Sequence, residues 1–154
     1  MSSTVYQAFS ATAHKWPGNP FLHIVPETAA VYSIDSGELR YRYALDAIDA
    51  LKSTYQSAGY GHGHRVGLLL ENRPAFFLHW FALNALGVSV VPINADLRAA
   101  ELQYLVGHSE IALAVALPSH HEALRAAAQA AGRSVHVIAD GDAPPAPAFA
   151  APHA

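Results

Sequence analysis

There is no cysteine among the 154 residues. That excludes a disulfide framework, a thiolate nucleophile and a cysteine-based zinc site, and it is compatible with a cytoplasmic location. Charge is scarce as well: Asp, Glu, Lys and Arg make up 14% of the chain, against about 25% in a typical soluble domain. Lysine is confined to Lys15 and Lys52, both early. The net charge of −3, with histidine neutral, gives no electrostatic reason to bind nucleic acid. The opening residues MSSTVYQAFSATAHKWPG lack a charged n-region before a continuous apolar core, so no secretory signal is read. No serine sits on a recognisable nucleophile turn, so no Ser-His-Asp order can be defended.

Apolar residues, in contrast, reach 52%. One domain with a sizeable core is expected, and it would expose apolar surface wherever a natural partner domain is missing. From Pro74 to Ala95 there is no formal charge, which approaches the roughly 20 residues that cross a bilayer. Pro74, Gly87 and Pro92 punctuate the run, and His79, Asn84 and Ser89 lie inside it. A buried helix followed by a buried strand is therefore expected there.

The stretch from Arg65 to Arg98 reads as strand, uncharged helix, strand and the start of another helix. The runs Val66 to Leu70 and Val88 to Ile93 are apolar on both faces, which suits a parallel sheet covered on both sides. Arg73 to Gly87 is long enough to be the crossover between them, with Asn72 as cap, Pro74 in the first turn and Gly87 at the end. Upstream, the spacing predicts a helix over Thr4 to Trp16 and short strands at Phe21 to Val25 and Val31 to Ile34. A period-2 strand follows at Leu39 to Tyr43, with a hairpin across Asp35-Ser36-Gly37. An amphipathic helix over Ala44 to Ala58 faces inward with Ala44, Ile48, Leu51, Tyr55 and Ala58.

Downstream, Asp96 is expected to cap a helix running to Val106 and ended by Gly107. Ile111 to Leu117 is a third buried strand. Ser119 should cap an Ala-rich helix to Ala131, closed by Gly132, and Val135 to Ile138 is a fourth strand. The rhythm implies an α/β fold: a doubly wound, mostly parallel sheet with helices on both faces, preceded by a short helix and a β-hairpin. Residues 1–139 form this unit. Residues 140–154 hold four of the ten prolines and are expected to be a flexible tail or linker.

The pieces Arg65-Val66, Glu71-Asn72-Arg73-Pro74, Ala85-Leu86-Gly87 and Val91-Pro92-Ile93-Asn94 carry a resemblance. Together with Glu38-Leu39-Arg40-Tyr41-Arg42-Tyr43, in this order and spacing, they resemble the amino-terminal subdomain of the AMP-forming acyl-CoA synthetases, members of the adenylate-forming superfamily. The resemblance covers residues 4–138. It implies a parent enzyme that activates a carboxylic acid, fatty or aryl, with ATP and magnesium and passes the acyl group to coenzyme A. The family's phosphate loop ending in lysine, its later nucleotide motifs and its hinged domain with a catalytic lysine have no counterpart in this sequence. The resemblance therefore implies the first part of such a ligase, inactive alone, without a cofactor of its own, and completed by a carboxy-terminal part or a complementing chain. Two rival readings stay open: a stand-alone flavodoxin-like module for a small ligand, and one half of a split enzyme. Acyl specificity and oligomeric state are not readable.

Candidate sites each have a simpler reading. Gly59, Gly61 and Gly63 follow a helix and open a strand, the reverse of a dinucleotide fingerprint, so a helix cap and tight turn are expected. His62 and His64 share one side of an extended segment, but nothing fixes a third ligand among His120, His121 and His136, and no metal site is assigned. His79 and Asn84 could line a pocket; hydrogen bonding in a core is the commoner role. Phe76, Phe77, Trp80 and Phe81 could form an acyl-binding wall; core packing is the default for such an aromatic-rich helix. Arg98 with Glu101, and Glu122 with Arg125, read as surface helix pairs. Asn72, Arg73, Asn94 and Asp96 lie just past the carboxyl ends of expected parallel strands, where α/β sheets collect ligands. They are the candidate substrate-binding residues; none is assigned as catalytic.

Overall fold

The structure is a computed structural model that describes residues 4–24, 37–71 and 73–151. Two sheets are present among the described residues. β1 (Pro20–Ile24) and β2 (Gly37–Arg40) pair antiparallel. β3 (Arg65–Leu69), β4 (Ser89–Pro92), β5 (Leu113–Ala116) and β6 (His136–Ile138) form a parallel sheet in the order β4-β3-β5-β6. The helices are α1 (Val5–Lys15), α2 (Tyr41–Ala58), α3 (Pro74–Ala85), α4 (Ala99–Ser109) and α5 (His121–Ala131). A 3-10 turn, Pro118–His120, precedes α5.

The parallel sheet is apolar on both sides because it separates two cores. Val66, Leu68, Leu70, Leu113 and Val115 point into one, with Phe9, Ala44, Ile48, Tyr55, Phe81 and Leu83 from α1, α2 and α3. Leu69, Ala114 and Ala116 point into the other, with Leu102, Val106, Leu124 and Ala127 from α4 and α5. This is the period-2 alternation of a strand, with a helical layer on each face. The doubly wound α/β architecture is as expected. No described helix is long and apolar enough to cross a membrane.

Several boundaries differ from expectation. The strand expected over Leu39 to Tyr43 stops at Arg40, and α2 begins at Tyr41. The Tyr41 and Arg42 N–H groups donate to the carbonyls of Asn19 and Pro17, and the Tyr41 ring joins Phe9 and Phe21 at 5.6 and 5.4 Å. These tertiary contacts turn the chain before the alternating pattern runs out. The strand expected at Val31 to Ile34, and Asp35 and Ser36 of the expected turn, lie outside the described residues.

Asp96 does not cap α4, which starts at Ala99. Asn94 Oδ1 accepts the Asp96 N–H at 2.8 Å, making a local turn. The Glu101 carboxylate then accepts the Arg98 N–H at 3.1 Å at the true helix start, so Glu101 serves the backbone of Arg98. Gly107 does not end α4, because it is the point where α4 meets α5: a Cβ there would lie 3.4 Å from that of Ala131. Ser119 does not cap α5; it is absorbed in the 3-10 turn. Arg125 reaches the Val137 carbonyl at 3.5 Å.

Candidate functional site

The strand order places a switch point at the carboxyl ends of β3 and β5. The crossover from β3 to β4 runs through α3 on one face, and the return from β4 to β5 runs through α4 on the other. The loops after β3 and β5 therefore part at this point, the place where open α/β sheets take ligands. Two side chains meet there: Glu71 Oε1 lies 4.0 Å from His120 Nε2, each about one-third exposed or less. Glu71 also has φ of 58°, a left-handed conformation that costs a non-glycine residue roughly 1–2 kcal/mol.

Of the candidate residues, Arg73 is the N-cap of α3, half-buried, and its N–H donates to the Leu70 carbonyl at 3.4 Å. Asn94 and Asp96 are exposed and joined in the turn after β4. Asn72 lies outside the described residues. Because β4 neighbours β3, Arg73, Asn94 and Asp96 share one edge of the sheet with Glu71. Neither Glu71 nor His120 is among the candidate substrate-binding residues, His120 being weighed only as a metal ligand; each follows an apolar strand run, but their meeting depends on β5 lying next to β3.

The other singled-out residues have structural roles. Gly59 is the left-handed C-cap of α2, with φ of 103°. His64 Nδ1 accepts the Gly61 N–H at 3.1 Å, closing the turn into β3. No group of three His, Asp or Glu converges on a point among the described residues. Asn84 Oδ1 accepts the Tyr6 N–H at 3.2 Å, tying α3 to α1. Phe81 is buried, and its ring lies 4.7 Å from that of Phe9.

His79 is 3% exposed and bonded at both ring nitrogens. The Tyr55 hydroxyl lies 2.7 Å from Nδ1, and Asp140 Oδ1 lies 2.7 Å from Nε2. The bond to His79 holds the Asp140 carboxyl below its usual range against the opposing effect of burial. Burial, then the nearby Tyr60 and Asp140, pushes the Tyr55 phenol well above its usual range. Burial also pushes Tyr60 up to about 12.

The AMP-binding enzyme family matches residues 9–153. Sulfoacetate–CoA ligase of Cupriavidus necator is 33% identical over 153 residues, covering 97% of this chain and 28% of that protein. Crotonobetaine/carnitine–CoA ligase of Salmonella paratyphi A is 34% identical over 92 residues, covering 58% of this chain and 18% of that protein. The N-terminal domain of FACL13 from Mycobacterium tuberculosis superposes with a TM-score of 0.75 at 19% identity, covering 91% of this chain and 34% of that one. This chain thus spans under a third of the curated relatives' length. It belongs to the AMP-binding enzyme family and corresponds to the amino-terminal region of its adenylate-forming CoA ligases.

Proposed function

We propose that this chain is the amino-terminal part of a cytoplasmic acid–CoA ligase. In the first step a carboxylate oxygen attacks the α-phosphorus of ATP, forming the acyl-adenylate and releasing pyrophosphate. In the second, the thiol of coenzyme A attacks the acyl carbon and AMP leaves. The supporting observation is the family match over residues 9–153 on a doubly wound sheet. The carboxyl edge carrying Glu71, Arg73, Asn94, Asp96 and His120 is the surface we assign to the substrate-facing side.

We infer that the chain supplies a scaffold. Lys15 lies 5.5 Å from the Trp16 ring centroid and Lys52 lies 5.1 Å from that of Tyr6, so both lysines sit against aromatic rings. The resemblance to acyl-CoA synthetases supports assigning phosphate and metal handling to a further part of the enzyme, in the same polypeptide or in a complementing chain. We infer that the isolated chain is inactive. A fatty or aryl acid fits the resemblance to acyl-CoA synthetases. The relatives at 33% and 34% identity are named for sulfoacetate and crotonobetaine/carnitine, which favours a short polar acid.

The experiment is acid-dependent exchange of radiolabelled pyrophosphate into ATP, using the native product purified from its source cell and fatty, aryl and short polar acids. We expect a product several times the 16.4 kDa of this chain, or a complex of it, to exchange with one acid class. A larger product that exchanges with none would overturn the ligase reading. Exchange by the 154-residue chain alone would overturn the scaffold assignment.

A further inference from the structure

We propose that Tyr55, His79 and Asp140 form a relay, running from the core to the surface, that closes residues 139–147 as a strap over the carboxy-terminal end of α2. The segment contains no helix or strand, yet it meets the body at three places, two of them through side-chain hydrogen bonds. The first is Asp140, which bonds His79 in the middle of α3. The second is the Pro145 carbonyl, which accepts the Tyr60 hydroxyl at 3.0 Å. The third is Pro147, whose Cδ would lie 3.6 Å from a Cβ on Gly59, the α2 cap. Asp142 adds a local clasp: its N–H donates to the Ala139 carbonyl at 3.1 Å, and its carboxylate accepts the Ala139 N–H at 2.9 Å.

The chemistry of the relay selects one arrangement of protons. Tyr55 is 1% exposed and keeps its phenolic proton, which it donates to Nδ1. The imidazole then carries its own proton on Nε2 and donates it to Asp140. All three groups are satisfied in this neutral-imidazole form. With a second proton on the ring, Nδ1 would become a donor and the Tyr55 O–H would be left without an acceptor in the core. The buried phenol on α2 thus sets the tautomer on α3, and the tautomer sets the bond that seats the strap. Opening it would bare Tyr60, which is 3% exposed with the strap in place.

The strap rests on this geometry and does not depend on the ligase reading. NMR on the full 154-residue chain tests it. The expected wild-type result is an acceptor-type nitrogen at His79 Nδ1, a protonated Nε2, close contacts of the Tyr60 hydroxyl end with Pro145, and a protected Asp142 amide. In Asp140→Ala we expect the Tyr60–Pro145 contacts to vanish. The Asp142 amide should exchange at least about tenfold faster, while α2 and α3 amides keep their rates. Tyr55→Phe, which leaves the strap's own residues intact, should loosen it in the same direction. A proton on Nδ1 in the wild type would overturn the relay. Unchanged Asp142 exchange in Asp140→Ala, or exchange raised equally throughout α2 and α3, would overturn a strap that opens as a unit.

Discussion

Gly67 in β3 lies directly beneath the side chain of Ile93. A Cβ on Gly67 would come within 2.8 Å of Ile93 Cδ1 and 3.1 Å of Ile111 Cδ1. The bare backbone is what lets two isoleucines from flanking segments fill the core under α4 and α5. We expect Gly67→Ala to destabilise the fold by about 1–3 kcal/mol through overpacking. Urea unfolding measures this, and an unchanged midpoint would mean that both isoleucines can move aside.

Gly107 gives the opposite expectation. It is interior to α4, where glycine costs about 0.5–1 kcal/mol relative to alanine. An added Cβ would meet that of Ala131 at 3.4 Å, the edge of ordinary contact. Gly107→Ala should therefore stabilise the chain by up to about 1 kcal/mol, seen as a higher thermal midpoint. A lower midpoint would show that α4 and α5 are already at their closest approach.

Glu71 combines a left-handed backbone with a weak, partly exposed pairing to His120. Glu71→Gly relieves the backbone cost and forfeits the pairing, which is worth less than about 1 kcal/mol in that setting. The expected net effect is stabilisation of about 0.5–1 kcal/mol. If Glu71→Gly destabilises while His120→Ala does not, another contact of Glu71 must carry the difference.

Asp140 sets an acid dependence. Its folded carboxyl lies below the ordinary value of 3.8 because His79 bonds the charged form. The folded state therefore holds this proton less readily than the unfolded chain. Its contribution is full above the unfolded value and is lost as pH falls through the lower folded value. The stability gap between wild type and Asp140→Ala should hold near neutral pH and narrow on acidification. A gap that widens in acid would reverse the sign of this linkage.

The parallel unit was legible because its signals are local. Val66 to Leu70 is apolar on both faces, and Ala44, Ile48 and Tyr55 recur at helical spacing. Contacts that join distant segments were not legible. Side-chain pattern alone does not say that β5 lies beside β3, so the meeting of Glu71 with His120 could not be read. His79 could be read as a bonded core histidine, but its partners come from α2 and from the end of β6. The caps at Asp96 and Ser119 failed for a nearer reason. Asn94 and Pro118 each impose a turn that delays the helix, and a cap signal does not reveal such a turn.

The two cores on either side of the parallel sheet give synthesis an order. The buried side chains of the first core are all made once Val115 of β5 has left the ribosome, and of the described residues packed against it only Leu117, and Ile138 of β6, are still to come. The second still lacks Leu124, Ala127 and Ala128 of α5 at that moment. A nascent chain stalled near Pro118 would thus have one sheet face dry and the other wet. Chaperone capture during translation should concentrate in that short interval and end when α5 docks.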